Sequence, residues 1–542
     1  MQNVKASQLE PGRRKPRLPF QLRATTLVLW SMAALIAAAM LLPIAYLFIR
    51  VIGAGGDAWQ GLFRFQTLET IARTVWLSLA VTAASAAIAL PLAWLTVRTD
   101  LPLRRMWAVL TPLPLVIPSY VGAYLFASAL GPRGLLQQLF ENLFGITRLP
   151  EIYGFPGAML VLTLLSYPYI LLGARAALSK MDPGLEEASR SLGRSGWQTF
   201  WRVTLPLLRP ALGAGGLLTA LYVLRDFGAV AIMRYSTFTR MIYVSYVSFD
   251  RSQAALLSLA LVAITLVFLA LETRALSRVR YFPSGPGSTR PPVLMQLGPW
   301  RWPALAFCGT VVFMSLVLPA GLLIYWLLRG LGTGEVIPAL GQATWNSVLA
   351  SGLGAAGIVC AALPVAILVV RRPGRMTRLL ERLTYSTFAL PGIVIALALV
   401  FFGANHAPQL YQTLPMLLLA YGILYLPQAV GALRAALLQI HPHLEEAARS
   451  LGRRPVQVFF SITFPLLRSG LAAGAGLVFL TIMKELPATL ILAPIGFRTL
   501  ATGVWSAVSE AFFAQAAAPA LLIVLMSSLP MTFFILSEQR VD

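Results

Sequence analysis

LEEASRSLGRSGWQTFWRVTLPLLRP begins at Leu185, and LEEAARSLGRRPVQVFFSITFPLLRS begins at Leu444, 259 residues later. Each copy reads as a short helix, a glycine stop and a second short helix. Pro183 and Pro442 suit a first helical turn, where a missing N–H costs nothing. Asp182 is a good N-cap and His441, its counterpart, a poorer one. Leu185, Ala188 and Leu192 form a narrow apolar face, repeated by Leu444, Ala447 and Leu451. Glu186 with Arg190, and Glu445 with Arg449, are spaced for i,i+4 ion pairs with the acid on the N-terminal side. Gly193 and Gly452 end the helix, because glycine adopts the left-handed C′ conformation cheaply. The second helix starts after Ser195 or at Pro455 and is expected to close at Pro206 and Pro465. An idle polar loop has no reason to keep these residues at one spacing twice. A rigid docking surface does.

The rest of the chain is apolar. Of its 542 residues 58% are hydrophobic and 12% charged, with a mean hydropathy of +0.74. Twelve runs are long enough to cross a bilayer as helices: 26–49, 72–97, 106–130, 156–178, 210–232, 253–272, 303–328, 344–370, 383–403, 414–437, 469–492 and 515–537. The first is too long for a signal-peptide core and has no clear cleavage site after it, so it reads as a membrane anchor. The net charge of +23 suggests nucleic acid until its distribution is read. Arginines cluster before the first run and between runs two and three, six and seven, and eight and nine, while alternate loops carry few charges. This positive-inside pattern excludes a nucleic-acid partner and places both termini and both elbows in the cytoplasm. Cys308 and Cys360 fall within spans, where a structural disulfide is not expected.

The duplication extends beyond the elbows. IALPLA (88–93) answers AALPVA (361–366), and LVIPSYVGA (115–123) answers FALPGIVIA (388–396). The expected organisation is a basic tail at 1–25, a six-span domain at 26–272, a Pro/Gly/Ser-rich linker at 273–302 and a second six-span domain at 303–542. Six spans per unit keep the copies parallel, with a pathway where they meet.

The repeated element resembles the EAA loop of binding-protein-dependent ABC importer permeases. EEASRSLGRSGWQTFWRVTLP and EEAARSLGRRPVQVFFSITFP carry its Glu-Ala pair, its glycine and its trailing LP or FP. The fused length, and MKELPATLILAP (483–494), are similar to the ferric-iron permease subfamily. The resemblance implies an all-α polytopic membrane protein of about twelve transmembrane helices, built as two parallel six-helix type I ABC-importer domains in a bacterial inner membrane. It implies that Glu186, Glu187, Ala188 and Gly193, with Glu445, Glu446, Ala447 and Gly452, seat two copies of an ATPase subunit. It also implies a periplasmic or lipid-anchored binding protein that delivers the substrate. ATP belongs to the partner, and this chain is expected to bind no cofactor. A phosphate-cradling loop needs Gly-Lys-Ser/Thr, and none of Lys5, Lys15, Lys180 and Lys484 stands in that context.

Arg225-Asp226 and Lys484-Glu485 occupy equivalent positions deep in their spans. Counted from Ala211 at about 1.5 Å per residue, Asp226 lies roughly 22 Å along its helix. Charges at such depth are costly and usually face a bundle interior or a wet cavity. Gly228 and Pro487 follow, so both helices are expected to break there. These four residues are candidates for the translocation pathway; the alternative is an ion pair that locks helix positions. The glycines Gly213, Gly215 and Gly216, with Gly470, Gly474 and Gly476, read as close helix packing before they read as a gate. His441, His443 and Glu445 lie in the docking elbow, and no metal site is assigned to them. Tyr235, Tyr243 and Tyr246 read as an interfacial aromatic belt. Competing functions are the same machine carrying thiamine or another small solute, a 6+6 secondary transporter, and a membrane enzyme, for which no catalytic cluster is visible.

Overall fold

The structure is a computed structural model that describes residues 20–53, 59–60, 63–132, 134–146, 150–277, 294–334, 340–387 and 390–539. Among these residues the architecture is all-α and polytopic. Nine helices are long and apolar enough to cross a membrane, or ten when one bent pair counts as a single span. All twelve apolar runs fall on helices, but several helices are broken or displaced from the expected boundaries. The first half runs α1 (Phe20–Ile52), α2 (Phe65–Arg98), α3 (Arg104–Leu110), α4 (Ser119–Leu130), α5 (Leu135–Phe144), α6 (Phe155–Lys180) and α7 (Pro183–Ser191). It continues with α8 (Gly196–Arg225), α9 (Gly228–Ile232), α10 (Phe238–Val247) and α11 (Arg251–Ser277). The second half repeats the order without a counterpart of α5: α12 (Gly298–Gly332), α13 (Leu340–Arg371), α14 (Arg375–Ser386), α15 (Gly392–His406), α16 (Leu414–Gln439) and α17 (Pro442–Ser450). It ends with α18 (Pro455–Met483), α19 (Pro487–Leu492), α20 (Leu500–Ser509) and α21 (Phe513–Gln539).

Three expectations need correction. The run at 106–130 is not one helix: the chain bends by 95° between Arg104–Val116 and Ser119–Phe144. Pro112, Pro114 and Pro118 fall at this break, and each removes a donor from the helix ladder. The run at 383–403 is likewise divided between α14 and α15. Finally, the second elbow helix does not close at Pro206 or Pro465. It runs straight on into the next span through one widened π-turn, in which the Leu205 N–H bonds the Phe200 carbonyl and the Phe464 N–H bonds that of Phe459. A helical proline crowds the carbonyl four residues earlier, and the wide turn just before it absorbs that crowding. The resulting 30-residue helix α8 is about 45 Å long. It outreaches a hydrocarbon core of about 30 Å.

The expected linker at 273–302 begins inside α11 and ends inside α12, and its residues 278–293 lie outside the described residues, as do residues 1–19 of the expected tail. Just before α12, Met295 pairs with the end of α2. Its N–H donates to the Arg98 carbonyl at 2.8 Å and its carbonyl accepts from Asp100 N at 3.1 Å.

The centre of the molecule is formed by α4 and α15. Residues 119–129 of α4 and 392–401 of α15 are buried on every face, which is why neither shows a polar stripe. Around them α2, α6 and α8 pack together, as do α13, α16 and α18. An added Cβ at Gly215 would come within 2.7 Å of the Ile170 backbone, so α8 and α6 approach closely there, and Gly470 abuts Ala436 in the same way. The glycine row serves close packing at these two positions.

The first helix of each half crosses onto the other half. Helix α1 packs on α13, α14 and α15, where the Tyr46 hydroxyl donates to the Phe401 carbonyl at 3.0 Å and accepts from Asn405 Nδ2 at 3.1 Å. Reciprocally, α12 packs on α4, and Trp326 Nε1 donates to Ser128 Oγ at 3.0 Å.

Candidate functional site: paired elbows and a central cavity

Helices α7 and α17 form as their residues dictate. The Asp182 carboxylate accepts from Gly184 N at 2.9 Å, and His441 Nδ1 accepts from His443 N at 3.3 Å. The two helices stop at Gly193 (φ +80°) and Gly452 (φ +82°), which take the left-handed C′ conformation. The apolar face is not used for internal packing: Leu185, Leu192, Leu444 and Leu451 are all exposed, Leu451 by 82%. Trp197, Trp201, Val456 and Phe460 extend the exposed apolar surface along the start of the next helix. Glu187, Ala188, Glu446 and Ala447 are exposed as well.

The first acid of each motif points inward. Glu186 Oε1 accepts from Thr204 Oγ1 at 2.8 Å, and Glu445 Oε1 accepts from Thr463 Oγ1 at 3.1 Å. Each threonine closes the π-turn before the motif's proline, so the acid ties the elbow to the root of the long helix. The expected Glu445–Arg449 pair is present at 3.2 Å, and Arg371 of α13 adds a second ion pair at 3.0 Å. No Glu186–Arg190 ion pair forms among the described residues. Arg98 and Arg371 donate to equivalent carbonyls, those of Met181 (3.2 Å) and Ile440 (3.1 Å). His443 Nδ1 lies 2.8 Å from Glu446, and this hydrogen bond holds the Glu446 carboxyl below the usual carboxylate range. The threonines and the two arginines were not singled out from the sequence. Their signal was available only as VTLP and ITFP, and as one arginine at the end of each second span.

At the far end of α8 and α18 both helices break. Asp226 and Glu485 each leave the helix and turn their carboxylates onto the short helix that follows. Asp226 Oδ1 accepts from Ala229 N at 2.9 Å and Val230 N at 3.4 Å. Glu485 Oε1 accepts from Ala488 N at 3.1 Å, and its Oε2 accepts from the Tyr425 hydroxyl. The cations reach across between the halves. Lys484 Nζ donates to the Leu115 carbonyl at 2.9 Å, and Arg225 interacts electrostatically with Glu485 and Tyr425. All four predicted residues line one cavity of about 360 Å³ between the halves. Tyr120, Tyr169, Tyr222 and Tyr425 line it too. Sequence reasoning missed them, since a tyrosine in an apolar run reads as core. Tyr235, by contrast, reaches the Arg73 carbonyl at 3.3 Å, and Tyr243 packs on Phe227 and Trp505.

A polytopic helical chain with two copies of one half, a paired exposed elbow and a charged cavity between the halves defines a membrane permease. The chain belongs to the family of binding-protein-dependent transport system inner membrane components, whose model matches residues 93–280 and again 354–542. It is 36% identical over 502 residues to the Fe(3+)-transport system permease protein FbpB 2 of Haemophilus influenzae, covering 92% of this chain and 95% of that one. It is 25% identical over 460 residues to the ferric transport system permease protein FbpB of Actinobacillus pleuropneumoniae, covering 79% of this chain and 65% of that one. Over 161 residues it is 35% identical to the molybdenum transport system permease protein ModB of Escherichia coli, covering 29% and 69%. Family membership sets aside the secondary-transporter and membrane-enzyme readings. It implies an ATPase and a substrate-binding protein as partners.

Proposed function

We propose that this chain is the membrane-spanning subunit of an ATP-driven importer that takes ferric iron from a periplasmic or lipid-anchored binding protein. The observation that supports iron is the 36% identity to an Fe(3+) permease over 92% of the chain. The match to the molybdenum permease favours an oxyanion as the second reading. In this proposal two copies of one ATPase seat on α7 and α17, both termini are cytoplasmic, and the halves 26–272 and 303–542 alternate access around the central cavity. Hydrolysis belongs to the partner, because no lysine of this chain stands in a phosphate-cradling loop.

The geometry supports a transmission path. A push on the exposed face of an elbow reaches Glu186 or Glu445, then Thr204 or Thr463, then α8 or α18. Each long helix ends at the charged break beside the cavity. Membrane-embedded helices broken next to a cavity are a recurrent way to build a transport site.

Uptake of radioactive iron in cells lacking their own ferric permease, with radioactive molybdate in parallel, tests the substrate. Iron uptake is expected, and molybdate uptake without iron uptake would replace the first reading by the second. Gly193→Asp with Gly452→Asp should abolish ATPase association while leaving the chain inserted; normal association and uptake would defeat the docking assignment. The purified chain should show no ATP turnover above background, and turnover that co-purifies with it would contradict this account.

A further inference from the structure

The hydrogen-bond accounting of the central cavity is lopsided. Its two carboxylates are already engaged, Asp226 by two backbone N–H groups and Glu485 by Ala488 N and the Tyr425 hydroxyl. Its donors are not. Lys484 gives one hydrogen bond, to a neutral carbonyl, and forms no ion pair among the described residues. The Tyr120 hydroxyl is buried, its residue 3% exposed, and has no hydrogen-bond partner among the described residues although the side chain lines the cavity. A charge held in a membrane without a counter-ion is costly, and so is a buried donor with nothing to bond. A bare cation entering here would meet Lys484 and Arg225 and would have to strip the caps from α9 and α19. An anion would meet the Lys484 ammonium and the Tyr120 hydroxyl.

We propose that the cavity recognises an oxygen-rich anion through Lys484 and Tyr120, so that cargo crosses as an oxyanion or as a metal ion wrapped in anionic oxygen ligands. This deepens the proposed function and rests on its placing of the cavity on the transport path. It reconciles ferric and molybdenum permeases as relatives of one chain: what both cargoes share at Lys484 is a negatively charged oxygen surface.

The test reads the sign of the cavity's potential. In the full chain with its ATPase in lipid, Cys308 and Cys360 are replaced by alanine and Thr481, which lines the cavity, by cysteine. Rates of modification by a sulfonate-bearing and a trimethylammonium-bearing methanethiosulfonate are compared, each relative to free cysteine. The anionic reagent is expected to be favoured roughly tenfold, the low end of what charge focusing in a cleft supplies. Lys484→Gln should bring the ratio to about one and Lys484→Arg should preserve it. Tyr120→Phe should weaken protection without changing the ratio. Protection of the cysteine by sodium molybdate identifies an oxyanion source, and protection by ferric citrate a liganded metal. Preference for the cationic reagent, a ratio indifferent to Lys484→Gln, or protection by cobalt(III) hexaammine alone would overturn the inference. Absence of reaction with either reagent in every nucleotide state would instead remove the cavity from the transport path, and the proposed function's pathway with it.

Discussion

The two elbows carry one motif but are tethered differently. In the first, among the described residues, Glu186 has a single side-chain partner, Thr204, and the nearby Arg98 keeps a buried Nε without one. In the second, Glu445 holds Thr463, Arg449 and Arg371 together, and Arg371 also grips the Ile440 carbonyl. The packing beneath them differs in the same sense. Ser189 and Thr199 share a hydrogen bond at 3.1 Å, where the second copy has the apolar pair Ala448 and Val458. Duplication therefore preserved the exposed apolar face and the acid-to-threonine strut, while the ties to the neighbouring span diverged. The second elbow is fixed to α13 by charge. Among the described residues, the first is tied to α2 by the hydrogen bond from Arg98 to the Met181 carbonyl.

The sharpest way to break this comparison is to remove the acids. Glu445→Ala should destabilise the detergent-solubilised chain by about 3 kcal/mol, since it strands a largely buried Arg371. Glu186→Ala should cost only about 1 kcal/mol, one hydrogen bond. Equal shifts in thermal unfolding would show that the extra ion pairs carry no weight. Next come the glycines, where the copies should agree. Among the described residues nothing lies within 4 Å of a Cβ added at Gly193 or Gly452, so alanine at either meets backbone strain alone, about 1 kcal/mol. Unequal losses would reveal contacts that differ between the elbows. The threonines should then reverse the order of the acids. Thr204→Val deprives Glu186 of its one partner and should cost about 1 kcal/mol, whereas Thr463→Val leaves Glu445 two arginines and should cost about 0.5 kcal/mol. ATPase activation measured beside stability would show whether the strut transmits force. The smallest effect is expected at the exposed His443–Glu446 pair, which the first copy lacks. Because the Glu446 carboxyl is held low, the pair contributes above the ordinary carboxylate range and fades as pH falls through the lowered value. Glu446→Gln should lower the unfolding temperature least of all these variants at neutral pH; a drop as large as that of Glu186→Ala would make the pair structural.

What the sequence discloses follows what is local. The elbows could be read because a proline start, a cap and a glycine stop act within a few residues. The paired charges at 225–226 and 484–485 could be read because a charge in an apolar run is conspicuous. The π-turn could not, since a proline after a short polar helix looks like an ending. It becomes a continuation only through the threonine and glutamate that brace it. The cavity tyrosines were invisible for the opposite reason: an aromatic inside a hydrophobic run carries no mark of which way its hydroxyl points. The crossing of α1 joins residues 355 positions apart and that of α12 residues 198 apart, and no periodicity records contacts at that range.

That crossing has a consequence for biosynthesis. When α1 leaves the ribosome its partners α13 and α15 do not yet exist. At roughly 5–20 residues per second the wait is on the order of 20–70 seconds, during which Tyr46 faces either lipid or the insertion machinery. The order of synthesis thus makes the first half an incomplete object until the second is threaded. We predict that a nascent chain arrested just after Ser277 cross-links through Tyr46 to lipid or insertase, and that the full-length chain cross-links there to Phe401 instead. Identical cross-links at both lengths would mean that α1 finds its seat without the second half.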